Sequence, residues 1–133
     1  MRVSRAIVGV ALGALAGCMP ERQVSGRALY ADYCAGCHGP SGQGDGLDAA
    51  GLGKAPADLT GISQRNGGSY PMVAVMSAID GYTRRGDLSS AMPELGVALQ
   101  EGPLVMIDTG DGTATPTPAN LVALANYLKT LQR

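Results

Sequence analysis

Apolar positions fall into five stretches with different spacings. Ala6 to Leu15 is an unbroken run of ten residues behind Arg2 and Arg5, too short to cross a hydrocarbon layer of ~30 Å as a helix. A positive start and a short apolar run read as an export signal. Ala28, Leu29, Tyr30 and Tyr33 mark one face of a helix that starts at Gly26, with Ser25 as its N-cap. It should run into Cys34 and stop near His38. Met72, Val73, Met76 and Ile79 predict a second helix, opened by Ser69-Tyr70-Pro71 and ended by Gly81. Val105-Met106-Ile107 before the turn residues 108–113 predicts a short strand, with a hairpin as one outcome. Leu121, Leu124, Leu128 and Leu131, joined by Tyr127, form the stripe of a last helix capped at Thr117-Pro118. The Gly-rich loop 39–46, the extended segment 54–60 and the aperiodic stretch 83–93 connect them.

Composition adds a need for an organiser. The 133 residues suit one domain, yet they include 20 Gly, 8 Pro, no Trp and no Phe, so large core side chains are scarce. A bound cofactor would fill that gap. The net charge is −1, and loss of residues 1–17 would leave eight basic against eleven acidic residues, a net −3. No Lys/Arg cluster is present, which argues against nucleic acid as a partner.

Leu15-Ala16-Gly17-Cys18 resembles the bacterial lipobox. That resemblance implies cleavage before Cys18, acylation of this residue, and a domain held at a membrane by a tether over 18–25. An ordinary signal peptide is the alternative. The organisation expected is a signal peptide at 1–17, the lipidated tether at 18–25 and one domain at 26–133.

The chemistry lies in Cys34-Ala35-Gly36-Cys37-His38. Two thiols three positions apart can add to two vinyl groups on neighbouring edges of one porphyrin, and the next residue brings an imidazole under the iron. A thioredoxin-like pair would need a strand before Cys34, and a structural zinc site needs four ligands. The chain has one His and three Cys, of which only Cys34 and Cys37 are spare beside Cys18, so a fourth zinc ligand would have to be a carboxylate. With Cys18 given to lipid and Cys34 and Cys37 to thioethers, no Cys is left for a disulfide.

Met is the remaining common sixth ligand, since His38 is the only His. Beyond Met1 and Met19 the candidates are Met72, Met76, Met92 and Met106. Met92 stands apart because Pro93 forces it out of helical geometry within an irregular segment. Met76 ranks second and Met106 third, both explicable as apolar packing.

From Gly26 to Arg133 the chain resembles the class I cytochrome c family. Gly26 and Tyr30 precede Cys34 as the family's first helix requires, and Leu124 and Tyr127 match its last helix. The resemblance implies an all-α cytochrome c fold, three main helices with long loops around one covalently bound haem c. It also implies outer-sphere single-electron transfer with His38 and Met92 on the iron, and a redox donor and acceptor as partners. Such a protein is a carrier, or the electron-transfer subunit of a respiratory complex, rather than an enzyme. A haem that binds or reduces a small ligand at an open sixth position is the alternative.

Ser-Ser-Ala-Met-Pro-Glu around Met92 resembles the family's Met-Pro loop. Pro56 resembles the family's proline whose carbonyl accepts the proximal imidazole N–H, though a plain loop proline would look the same. Tyr70, Tyr82, Arg84 and Arg85 could meet haem propionates, or the two Arg could be a solvated pair. The expected location is the periplasmic face of a bacterial membrane, anchored through Cys18.

Overall fold

The computed structural model describes residues 24–84 and 90–133. The expected signal segment, Cys18, most of the tether, and Arg85 lie outside the described residues.

Helix α1 spans Gly26–Tyr33. Ser25 caps it as expected, its hydroxyl accepting the Ala28 N–H at 3.2 Å. The buried face is narrower than its stripe suggests, since only Leu29 and Tyr30 are buried while Ala28 and Tyr33 face solvent. Cys34 then leaves helical geometry (φ −120°), and one more turn, α2 (Ala35–His38), follows. A further single turn, α3, occupies Ile62–Arg65.

Helix α4 is Met72–Asp80, stopped by Gly81 in the left-handed region (φ 94°) with its N–H on the Ser77 carbonyl. Its inward face corrects one residue of the expected stripe. Val75, Met76 and Ile79 are buried and Met72 packs beside them, whereas Val73 is exposed. Positions i, i+3, i+4 and i+7 share a face; Val73 at i+1 points 100° away.

The strand expected near Val105 is real and belongs to a hairpin. Strand β1 (Leu104–Asp108) pairs antiparallel with β2 (Ala114–Pro118). Asp108 Oδ1 shapes the turn by accepting the N–H groups of Gly110 (2.8 Å) and Gly112 (3.0 Å). Pro116 and Pro118 lie opposite Met106 and Leu104, the pairs whose β2 nitrogens face away from β1; the Ala119 N–H to Pro103 carbonyl bond of 3.0 Å fixes this phase. Helix α5 (Ala119–Thr130) follows directly, so Thr117 and Pro118 end a strand as well as open a helix.

The fold is mostly helical, with this hairpin added to three longer helices and two single-turn ones among the described residues. Its centre is the α1–α5 crossing. A Cβ on Gly26 would collide with the Ala123 backbone, so absence of a side chain sets the approach of the two helices. Tyr30 and Tyr127 then meet at 5.3 Å between ring centroids, tilted by 50°. Leu124 and Ala125 are fully buried beneath α1 and α4, joined by Leu95 and Leu99 from the segment after Pro93. No helix among the described residues is long and apolar enough to cross a membrane.

Candidate functional site

The break at Cys34 places the motif on a single turn. The N–H groups of Cys37 (3.2 Å) and His38 (2.8 Å) both reach the Cys34 carbonyl. Cys34 is buried and Cys37 half-buried. Burial, and next the charge of Cys37, push the Cys34 thiol up to about 11. Among the described residues no strand precedes Cys34, which follows α1 directly, so the setting of a thioredoxin-like pair is missing.

The Gly-rich loop folds back over the motif's own backbone. Gly44 N–H donates to the His38 carbonyl (2.8 Å) and Gly46 N–H to that of Cys37 (3.1 Å). A Cβ on Gly46 would stand 2.6 Å from the Cys37 carbonyl carbon, so a side chain there would force the loop off. Tyr30 closes the other end, its hydroxyl donating to the Gly39 carbonyl at 2.6 Å. Burial raises this phenol to about 12, keeping it a donor at any physiological pH.

His38 Nδ1 lies 2.9 Å from the carbonyl oxygen of Ala57. A carbonyl only accepts, so Nδ1 carries the proton and Nε2 keeps its lone pair for a metal. This corrects the expectation for Pro56: the acceptor is one residue further on. Consecutive carbonyls of an extended chain point to opposite sides, and that of Pro56 faces Gly44, 2.5 Å from where a Cβ would be.

Residues distant in sequence fix the Ala57 segment. Asp58 accepts the Thr60 N–H (2.8 Å) and hydroxyl (2.6 Å), and these bonds, ahead of Arg133 and Arg65, hold its carboxyl below the usual range. Arg65 donates to the Asp58 carbonyl at 2.7 Å. From the last turn, Gln132 bonds the Leu59 carbonyl and the Ser63 N–H, both at 2.8 Å. Arg133 reaches Thr60 Oγ1 and Asp58 Oδ2, also at 2.8 Å. Ala57, Gln132 and Arg133 are site residues that sequence reading missed, since nothing local distinguishes an alanine whose carbonyl matters.

Among the methionines, Met76 is 5% exposed in the core and Met106 is 61% exposed on the hairpin, whose inward residue is Ile107. Met72 packs at the start of α4. Met92 is half-buried in a loop whose following residues dock on the end of α4, with Leu95 and Gly96 N–H groups on the Ile79 and Asp80 carbonyls at 3.1 and 3.2 Å. Arg84 donates to the carbonyls of Ala78 (2.8 Å), Met92 (2.7 Å) and Pro93 (3.1 Å) and to Ser90 Oγ (3.1 Å). It is neither a solvated surface residue nor free for a propionate. Tyr70 likewise spends its hydroxyl on the Ala125 carbonyl at 2.8 Å, tying the start of α4 to α5. Tyr82 is 65% exposed.

Two thiols on one turn, an imidazole with Nε2 left to bind and a loop thioether make a donor set suited to a covalently attached, soft-ligated iron porphyrin. Compared with known proteins, residues 23–132 match the protein-family model described as cytochrome c. No curated protein and no solved structure matches the chain.

Proposed function

Because the chain belongs to the cytochrome c family, as a class I c-type cytochrome carrying one covalently bound haem c and passing electrons between redox partners, we propose that it works as a lipid-anchored carrier with His38 and Met92 on the iron. The haem supplies the one-electron Fe(III)/Fe(II) couple. Everything else falls to this chain. Cys34 and Cys37 hold the group by thioethers, and His38 binds through Nε2. The Ala57 carbonyl, at 2.9 Å from Nδ1, orients the ring and strengthens it as a donor. Met92 supplies a soft thioether that favours the ferrous state and raises the potential.

The observation that carries this reading is the paired mounting of the two axial candidates. The His38 ring is fixed by a backbone carbonyl, and Met92 sits on a loop docked to α4. The rival methionines are spent on the core or on the hairpin's outer surface. The charged start, short apolar run and Leu15-Ala16-Gly17-Cys18 support export and anchoring at the periplasmic face of a bacterial membrane, where donor and acceptor would be met. With both His38 and Met92 bound, the iron would have no open position, and the transfer would be outer-sphere.

The test is a visible spectrum of the holoprotein, oxidised, reduced, and reduced under carbon monoxide. The wild type should show the weak red-end sulfur-to-iron band and react poorly with carbon monoxide. Met92→Ala should lose the band, bind carbon monoxide and fall in potential. Ready carbon monoxide binding by the wild type, with no such band, would replace the carrier by a ligand-binding haem. Replacing both Cys34 and Cys37 with Ala should abolish haem that survives denaturing electrophoresis. Cys18→Ser should release the protein from membranes with its haem spectrum unchanged.

A further inference from the structure

An α-helix leaves its last four carbonyls without partners inside the helix. In α4 these belong to Ser77, Ala78, Ile79 and Asp80, and all four are taken. Gly81 N–H bonds Ser77 at 3.1 Å, Leu95 N–H bonds Ile79 at 3.1 Å, and Gly96 N–H bonds Asp80 at 3.2 Å. Ala78 receives Nε (3.3 Å) and Nη2 (2.8 Å) of Arg84. Half of this helix end is therefore closed by the segment that follows Met92, and one more carbonyl by a side chain that also binds that segment.

The peptide that joins Met92 to Pro93 has no N–H, which leaves carbonyls as the handles on either side of the proline nitrogen. Arg84 takes both flanking ones, with Nη1 on the Met92 carbonyl at 2.7 Å and Nη2 on that of Pro93 at 3.1 Å. Nη1 also reaches Ser90 Oγ at 3.1 Å, two residues before Met92. One planar cation thus grips the chain on both sides of Met92 and bolts it to the helix. The helix end favours this, because its carbonyls carry the negative end of the dipole. Two glycines permit the approach: a Cβ on Gly81 would lie 2.5 Å from Glu94 Cγ, and one on Gly96 would lie 3.0 Å from the Asp80 carbonyl oxygen.

We infer that Arg84 is the positioning residue of the sixth ligand, clamping the Met92-Pro93 loop to the C-terminus of α4 so that the thioether stays presented to the iron. This rests on Met92 being that ligand. A lysine could not substitute, since its three N–H groups radiate from one point whereas the guanidinium spreads five donors over a fork.

Arg84→Met keeps most of the apolar stem but removes every donor, and Arg84→Lys keeps the charge and three N–H groups without the planar fork. Both are compared with the wild type and with Met92→Ala as holoproteins. Covalent haem and far-ultraviolet dichroism report the fold; the red-end band, carbon monoxide binding and potential report the ligand. Arg84→Met should keep its haem and helix content. It should lose much of the band, fall in potential and bind carbon monoxide roughly tenfold to hundredfold more tightly, the factor expected for losing charge-assisted hydrogen bonds. Arg84→Lys should lie between. If Arg84→Met fails to accumulate, Arg84→Lys decides, and a wild-type band and carbon monoxide affinity in it overturn the clamp. An unchanged Arg84→Met beside a Met92→Ala that loses the band overturns the clamp alone. A band that survives Met92→Ala overturns the ligand reading and the clamp together.

Discussion

The His38 ring rests on a segment held by partners drawn from the whole chain, whereas among the described residues the loop at Met92 is hydrogen-bonded to one helix end and one guanidinium. His38 sits on the turn that continues α1, its ring on the Ala57 carbonyl, with the adjoining Asp58–Ser63 segment bonded to Gln132 and Arg133. Those last residues extend α5, which crosses α1 at Gly26, so the proximal side closes on itself. Among the described residues, no hydrogen bond ties residues 90–96 to α1 or α5. Redundancy means that single losses on the proximal side should lower stability while leaving ligation in place. Concentration means that one loss on the distal side should change ligation before stability.

The largest effect should come from the crossing. Gly26→Ala puts a methyl against the Ala123 backbone, and overpacking of this kind costs about 1–3 kcal/mol, occasionally more. For a domain of this size each kcal/mol lowers Tm by roughly 4–8 °C. Thermal melting of the holoprotein checks this. A melting point equal to wild type would mean that the helices are free to move apart.

Gln132→Ala comes next. It removes bonds to the Leu59 carbonyl and Ser63 N–H, costing on the order of 1–2 kcal/mol in denaturant titration. The red-end band should stay; its disappearance would show that the proximal mounting is not redundant.

Met76→Leu is near volume-conserving and should cost less than about 1.5 kcal/mol, and the exposed Met106→Leu still less, with the band intact in both. Loss of the band in either would move the sixth ligand and dissolve the comparison.

The smallest effect concerns acid. The carboxyl of Asp58 titrates below its ordinary 3.8 because of Thr60 and then Arg133 and Arg65. Its contribution is complete above that ordinary value and is lost as pH falls through the lowered one. Asp58→Asn should therefore flatten the acid limb of a stability-against-pH curve and leave the limb above neutrality unchanged. An acid limb as steep as that of the wild type would show that Asp58 carries no such linkage.

What the sequence determined by itself was local. Cys34, Cys37 and His38 are close because they share one turn, Gly81 stops α4 because it lacks a Cβ, and the leucine stripe of α5 follows from 3.6 residues per turn. The capping of α1 by Ser25 and the Gly26–Tyr30–Tyr127 crossing were legible for the same reason, as spacing implies shape. Tertiary structure decided the partners. Strand β2 is hidden in sequence because Pro116 and Pro118 argue against a strand until pairing shows that their nitrogens face away from β1. Val73 and Met72 are equally apolar, and only packing against α5 shows which one turns outward. The acceptor for His38 is Ala57 and not Pro56, and Arg84 binds carbonyls rather than solvent. A hydrogen bond across 19 residues, or a helix end closed by a loop 16 positions on, depends on where distant backbone lies once the core has packed. Side-chain type and spacing do not encode that.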